Sequence, residues 1–220
     1  MKTHIIFGVT AVVLIIAFVF GSSYYKGKQA EKIGFMAQEN AKLFIRDHSQ
    51  TLGSDDAKVY LIEFMDPACE TCAAFSPFVR QIMDANPGRI KLVLRYAPFH
   101  EGADYFVKIL EATKKQGKYW ETLDTMFKTQ RMWTRHHKAI PEKIWPILTQ
   151  TGVDVERIRQ DMNDPAIVKL IDQDLADAKT LNVRKTPGYF VNGRPLQTFG
   201  SKQLLQLVQS ELDANYPNQN

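Results

Sequence analysis

The chain has 220 residues, of which 45% are hydrophobic, and a formal charge of +4 from 28 Lys and Arg against 24 Asp and Glu. This length can bury a sizeable core, either in one domain with an insertion or in two small domains. No long basic run occurs, so the composition argues against a nucleic-acid-binding protein.

The N-terminal segment is uncharged and mostly apolar from Ile5 to Tyr25. Such a segment is an export signal or a membrane anchor and not part of the fold. Crossing about 30 Å of hydrocarbon takes roughly 20 helical residues, so the segment is long enough to span. We favour an uncleaved anchor over 1–25, with a cleaved signal as the alternative, because the small-residue cleavage site is weak. Both readings place the body outside the cytoplasm, where disulfides are permitted.

Residues 26–50 are polar with only a partial helical stripe, which indicates a stalk or an N-terminal helix. A turn-like stretch, TLGSDDAK, leads into KVYLIEF, whose β-branched and aromatic residues predict a buried strand. AAFSPFVRQIMDA then predicts a helix that ends at Asn86-Pro87-Gly88, and RIKLVLRY predicts a second buried strand. The pattern is a βαβ unit with both cysteines at its first strand-to-helix turn.

From Gly102 to Leu181 the pattern predicts helices only, with apolar residues at helical spacing. Asp164 followed by Pro165 predicts the start of a helix, because aspartate caps helices and proline fits their first position. Pro146 predicts a kink or two short helices.

The last part of the chain returns to strand. GYFVNG and RPLQTF predict a hairpin that turns at Asn192-Gly193. A final helix is predicted from Ser201 to about Leu212. Four apolar residues are expected on one face of that helix: Leu204, Leu205, Val208 and Leu212.

Together these elements predict an α/β fold interrupted by an inserted helical domain. The predicted boundaries are 1–25 for the signal or anchor, 26–50 for the stalk, 51–101 for the first part of the α/β fold, 102–181 for the helical insertion, 182–214 for the second part and 215–220 for a tail.

The two cysteines, Cys69 and Cys72, form a C-x-x-C motif that fits a structural disulfide, half of a zinc site, soft-metal capture or a redox dithiol. Zinc needs four ligands, and no second such pair supplies them, although His136 and His137 are neighbours. A disulfide that closes so short a loop stabilises little. Copper(I) capture stays open, because thiolates suit soft metals.

The position of the pair favours redox chemistry. Cys69 is expected at a helix start, where free N–H groups and the helix dipole stabilise a thiolate. Cys72 is then one turn deeper and placed to attack a mixed disulfide at Cys69. Glu63 stands in the middle of the apolar first strand, which predicts a buried carboxyl that transfers protons. Thr186-Pro187 opens a later strand whose end is expected beside the cysteines.

Over about 51–210 the chain resembles the DsbA-like thiol:disulfide oxidoreductases of the thioredoxin superfamily. The resemblance rests on LGSDDAKVYLIEFMDPACETCAAF, RYAPFH, GKYWETLDTMFKTQRMW, TQTGVDVERI and VRKTPGYFVNGRPLQTFGSKQLLQLV, in this order. It implies a thioredoxin fold with a helical insertion, Cys69 as nucleophile, Cys72 as resolving cysteine and Glu63 as the buried acid. It also implies a cis Thr186-Pro187 bond against the disulfide, where Thr186 binds an extended substrate.

Glu70 and Thr71 depart from the family pattern, since strongly oxidising members usually carry Pro-His between the cysteines. A glutamate beside Cys69 opposes the thiolate, so we expect a moderate oxidant or an isomerase. The expected function is disulfide exchange with exported cysteine-containing proteins, served by a membrane or periplasmic redox partner and without a bound cofactor or metal. The alternative is a copper(I) chaperone or metal-tolerance protein that uses the same thiols.

Overall fold

A computed structural model describes residues 41–135 and 138–217 of the chain, and most of its strands belong to one sheet. The strands are β1 (Gln50–Gly53), β2 (Val59–Met65), β3 (Ile90–Tyr96), β4 (Thr134–Arg135), β5 (Lys138–Ala139), β6 (Gly188–Val191) and β7 (Arg194–Pro195). The main sheet has the order β1-β3-β2-β6-β7, while β4 and β5 pair separately. Strands β2 and β3 are parallel, as the βαβ prediction requires, and the other neighbours are antiparallel.

Helices connect and cover these strands. The α-helices are α1 (Ala41–Phe44), α2 (Glu70–Asp84), α3 (Ala103–Lys114), α4 (Tyr119–Lys128), α5 (Gln130–Trp133), α6 (Trp145–Leu148), α7 (Val155–Asp161), α8 (Pro165–Thr180) and α9 (Ser201–Asn215). Short 3-10 helices at Pro141–Lys143 and Thr149–Thr151 flank α6, so the segment around Pro146 consists of short helices, as predicted.

Strand β2 is buried on both faces, as its apolar sequence predicts. Leu61 and Met65 belong to the core cluster that includes the buried residues of α2. Ile62 and Phe64 pack in a second cluster on the other face of the sheet. Because side chains alternate along a strand, Glu63 lies on the same face as Leu61 and Met65, towards α2.

Two predictions about local structure are wrong. Thr51 to Gly53 were predicted as part of a turn but form β1, which pairs with β3. That pairing partner lies far along the chain, so local pattern does not show it. The segment 102–181, predicted to contain helices only, also contains β4 and β5, which form a small antiparallel pair. The Ala139 N–H also donates to the Glu101 carbonyl, which gives this non-helical segment partners for its backbone groups.

Other predicted features are confirmed at the level of single turns. Asp164 caps α8 by accepting a hydrogen bond from the Ala166 N–H, and Pro165 is the first helical residue. Asn192 and Gly193 both have positive φ, 47° and 81°, as the predicted tight hairpin turn requires. Leu205, however, is 46% exposed, because it is rotated about 100° around α9 from the buried Leu204.

A buried ion network joins β3 to α8, and it was not predicted. Arg95 is fully buried within β3, a strand whose other residues are mostly apolar. Its guanidinium donates to Asp174 and Asp177 at 2.6 Å each. Arg46 binds Asp177 from the other side, at 2.7 Å. Because buried charges need partners, these ion pairs connect α8 to the sheet.

The predicted anchor over 1–25 and most of the predicted stalk lie outside the described residues. Within residues 41–135 and 138–217, no helix has the length and apolar character that a membrane crossing needs.

Candidate active site

Cys69 is the N-cap residue of α2, directly after the loop that leaves β2. The loop is held by Asp66, whose carboxylate accepts the Ala68 N–H at 2.8 Å and whose carbonyl accepts the Cys69 N–H at 3.0 Å. Cys69 thus lies at the start of α2, as predicted, where the backbone N–H groups of Thr71 and Cys72 favour its thiolate although its side chain forms no regular cap hydrogen bond. Cys72 lies one turn further along and is fully buried.

The two thiols differ strongly in acidity. The pKa of Cys69 is lowered from its ordinary 9.0 to about 5, chiefly by a hydrogen bond from Cys72 and also by the Thr186 side chain and two backbone N–H groups; burial acts in the opposite direction. The pKa of Cys72 is raised well above 9.0, mainly by burial. At neutral pH Cys69 is therefore a thiolate and Cys72 a thiol.

The predicted Thr186-Pro187 segment lies against Cys69. The Thr186-Pro187 peptide bond is cis, and the Cys69 sulfur is 3.2 Å from the Thr186 carbonyl oxygen. That carbonyl can accept a hydrogen bond only from the protonated thiol, whereas the Thr186 side chain favours the thiolate. The segment thus brings a backbone acceptor to the reactive sulfur from a position 117 residues along the chain.

Glu63 lies beneath the cysteines, 4% exposed. Burial raises the pKa of Glu63 from its ordinary 4.5 to about 8; Tyr189 opposes this rise, the Cys69 charge adds to it and Arg80 opposes it. Tyr189 is the cross-strand partner of Glu63 in β6. The Tyr189 hydroxyl is buried, and no described residue lies in hydrogen-bond geometry to it. Tyr189 therefore lowers the pKa of Glu63 through proximity and not through a well-formed hydrogen bond.

A small cavity reaches the Glu63 carboxyl from the side of α2 and α4. Its volume is about 10 Å³, and its lining includes Glu63, Ser76, Arg80 and Trp120. This is close to the space that one water molecule needs. The Arg80 guanidinium lies 4.8 Å from the centre of the Trp120 ring, and 28% of the Arg80 side chain is exposed.

Glu70 and Thr71, the two residues between the cysteines, are both exposed in the first turn of α2. The Thr71 backbone N–H helps to lower the pKa of Cys69. The hydrogen bonds around Cys69 keep this pKa near 5 in the presence of the Glu70 carboxylate. The repulsion predicted for Glu70 would therefore change only modestly a Cys69 pKa that is already low.

Sequence patterns did not identify three residues that hold the cysteine loop. His100 is bound to Asp66 through its backbone N–H at 2.8 Å and its ring Nδ1 at 2.7 Å. The buried Gln130 amide donates to the carbonyls of Pro67 and Cys69, at 2.8 and 3.1 Å. The acid three residues before Cys69 was a usable signal for Asp66, but neither His100 nor Gln130 stands near the cysteines in sequence.

The sequence made zinc binding improbable and left copper(I) capture by the two thiols open. Across residues 41–135 and 138–217, no three His, Cys, Asp or Glu side chains are grouped as a metal site would require. His136 and His137, considered above as zinc ligands, lie outside that part of the chain.

Comparison with known proteins gives one family match. A family model described as Thioredoxin matches residues 46–210. A solved thioredoxin-like oxidoreductase from Silicibacter pomeroyi has a TM-score of 0.67 and 27% identity, and the match covers 81% of this chain and 98% of that chain. The expected thioredoxin-like α/β fold is thereby confirmed.

Two curated relatives differ in length. A Na(+)/H(+) antiporter NhaA of Herminiimonas arsenicoxydans is 30% identical over 145 residues, which are 66% of this chain and 22% of the antiporter. A probable disulfide bond formation protein D of Bacillus cereus is 27% identical over 161 residues, which are 69% of this chain and 74% of that protein. The chain thus spans about a fifth of the first relative and about three quarters of the second.

Proposed function

We infer a function from the premise that this chain belongs to the thioredoxin family, whose model matches residues 46–210. The predicted DsbA-like relationship is confirmed, because the similar proteins include a disulfide bond formation protein and a thioredoxin-like oxidoreductase. We propose that the chain is an extracytoplasmic thiol:disulfide oxidoreductase that exchanges disulfides with cysteine-containing exported proteins.

The contrast in acidity between Cys69 and Cys72 carries this proposal. A nucleophile of dithiol exchange must be a thiolate that can be reached, and a resolving cysteine must stay a thiol until it is needed. Cys69 has a pKa of about 5, whereas burial raises the pKa of Cys72 well above 9.0. We therefore assign Cys69 as the nucleophile and Cys72 as the resolving cysteine.

In the oxidising direction, a client thiolate attacks the Cys69 sulfur of the Cys69–Cys72 disulfide. A client–Cys69 disulfide forms and Cys72 leaves, taking up a proton. A second client thiolate then attacks the client sulfur of the mixed disulfide, so that Cys69 leaves as a thiolate. Two electrons have passed from the client to the enzyme, and the acidity of Cys69 makes it a good leaving group in this last step.

In the reducing or isomerising direction, the Cys69 thiolate attacks a client disulfide and Cys72 must then lose its proton. We assign Glu63 as the acceptor of that proton. The negative charge on Cys69 raises the pKa of Glu63. When Cys69 is bound in a mixed disulfide this charge is gone, so Glu63 ionises more readily when a base is required.

The location and the domain boundaries are also proposals. We propose that 1–25 anchors the protein in the cytoplasmic membrane, that 26–50 is a stalk, and that 102–181 is an insertion between the two parts of the thioredoxin fold. Clients and the redox partner would then meet the site on the outer side of the membrane. The full-length protein should sediment with membranes and resist carbonate extraction, and recovery of a soluble form that starts near Ser22 would contradict this proposal.

The function is tested with the reduced and oxidised full-length protein. The oxidised protein should convert reduced ribonuclease to its active form, and the reduced protein should reactivate scrambled ribonuclease, because only the reduced form has a Cys69 thiolate to attack a disulfide. Cys69→Ser should abolish both activities. Copper(I) titration of the reduced protein tests the metal-binding alternative. That alternative would require Cys72 to ionise as well, against the rise of its pKa by burial. Tight copper binding without any exchange activity would replace the proposed function.

A further inference from the structure

A wide groove runs from Cys69 along the segment that carries the cis-proline. Its volume is about 670 Å³, and it is bounded by Thr71, by the segment 181–190 and by residues that follow β7. Thr186, whose carbonyl is 3.2 Å from the Cys69 sulfur, lines its end at the active site. A peptide bound at Cys69 therefore has open space to continue in this direction.

Part of the groove lining is apolar. Phe199 is 47% exposed there, although its ring is 4.5 Å from the ring of Phe75. The half-buried Leu196 and the buried Val183 extend the same lining. An exposed aromatic ring fixed by a second ring offers a rigid contact for an apolar side chain.

The groove lining also carries two positive charges. Arg184 and Lys185 both line the groove and are exposed. Neither forms an ion pair within the described residues, and no acidic residue among them lines the groove. Asn182 accepts a hydrogen bond from Arg184 Nε at 2.7 Å, which leaves the outer guanidinium nitrogens for another acceptor.

We propose that this groove selects clients that carry an acidic and an apolar residue near the reactive cysteine, on the side of that cysteine that lies in the groove. Arg184 and Lys185 recognise the carboxylate, and Phe199 recognises the apolar side chain. The inference rests on the proposed function, because it concerns the substrate class of the same site. It assigns Arg184 and Lys185 as specificity-determining residues.

The geometry also predicts where the acid stands. Arg184 is two residues before Thr186, and an extended chain advances about 3.3 Å per residue. A client strand alongside this segment therefore presents its acid about two or three residues from its cysteine. The exposed Glu70 follows Cys69 directly and does not line the groove, and its carboxylate repels an acid placed beside it. The preference should thus hold for one side of the client cysteine only.

The test uses single-cysteine peptides that carry one tryptophan and differ in an aspartate, asparagine or lysine two residues before or after the cysteine. The rate at which each peptide thiol reduces the oxidised full-length protein is measured by quenched flow. Each rate is divided by the rate of the same peptide with glutathione disulfide, because flanking charges also change the acidity of the peptide thiol.

On one side of the cysteine, the aspartate peptide should react about five- to tenfold faster than the lysine peptide at low salt. This ratio should fall below about twofold at 0.5 M salt, where the screening length is roughly 4 Å. The double variant Arg184→Gln, Lys185→Gln should lose the ratio, whereas Lys128→Gln, Lys143→Gln should keep it, because both of those lysines are exposed outside the groove.

Equal normalised rates for all peptides, or a ratio that persists in the Arg184→Gln, Lys185→Gln variant, would overturn the groove proposal and leave the exchange activity standing. A protein that reacts neither with peptides nor with glutathione would overturn the proposed function itself. The two failures are therefore distinguishable in one set of measurements.

Discussion

Replacing Glu63 by glutamine should make the reduced protein more stable, and increasingly so as the pH rises. The pKa of Glu63 is about 8 in the folded protein, against an ordinary value of 4.5. Because this carboxyl binds its proton more tightly in the folded than in the unfolded state, the folded protein loses stability as the pH rises from 4.5 towards 8. Above pH 8 there is no further loss. Glutamine has a similar shape and no charge to bury, so the variant avoids this loss.

The magnitude follows from the two pKa values. Between about pH 5 and pH 7.5, Glu63 ionises in the unfolded chain but keeps most of its proton in the folded protein. This difference lowers the unfolding free energy of the wild type by about 3 kcal/mol relative to Glu63→Gln. Cys69 works in the other direction, because its pKa of about 5 lies below its ordinary 9.0, so its thiolate adds stability as the pH rises. This contribution is present in both proteins and largely cancels in their difference.

The measurement is urea unfolding of both reduced proteins at several pH values from 5 to 8, followed by circular dichroism in the presence of a phosphine reductant. Glu156→Gln is the control, since its side chain is 82% exposed and should give a difference that does not change with pH. A constant difference between wild type and Glu63→Gln over this range would refute the buried, raised-pKa carboxyl. The same variant should resolve mixed disulfides about a hundredfold more slowly at pH 7, because Cys72 lacks its proton acceptor.

Three further predictions concern the cysteine loop. Cys72→Ser should accumulate mixed disulfides with client proteins on non-reducing gels while Cys69→Ser traps none, and the reverse pattern would exchange the two roles. Glu70→Gln should lower the Cys69 pKa by about half to one unit in a thiolate absorbance titration, and an unchanged or higher value would mean that Glu70 does not act on the sulfur through its charge. Gln130→Ala should lower the unfolding free energy by about 2–4 kcal/mol, because two loop carbonyls lose their hydrogen-bond donor. The control Gln160→Ala removes an exposed side chain and should change it little. Equal small losses for both variants in urea unfolding would show that the Gln130 contacts are dispensable.

Much of the fold was predictable because its signals are local. The β-branched and aromatic composition of KVYLIEF predicted a strand covered on both faces, and β2 is such a strand. The Asp164-Pro165 start of α8 and the Asn192-Gly193 turn depend only on residues within one turn of each other. The position of Cys69 at the start of α2 follows from the same kind of signal, since a strand ends at Met65 and a helix begins at Glu70.

The failures involve partners that are distant in sequence. The residues of β1 look like a turn, and they form a strand because β3 lies beside them about 40 residues later. Arg95 is a buried charge in a strand that was predicted to be buried, and it is tolerated there because Asp174 and Asp177 of α8 pair with it. No periodicity of 2 or 3.6 residues contains that information.

The candidate site divides in the same way. By itself the sequence determined that two cysteines stand at a helix start above a strand that carries one acid. Only the tertiary structure decided that Gln130 holds the cysteine loop, that Tyr189 faces Glu63 and that Arg184 lines a groove leading away from the Cys69 sulfur. Helix capping and strand patterning act within a few residues, whereas desolvation and hydrogen bonding across the core depend on segments that meet only after folding, and these set the acidity of both thiols.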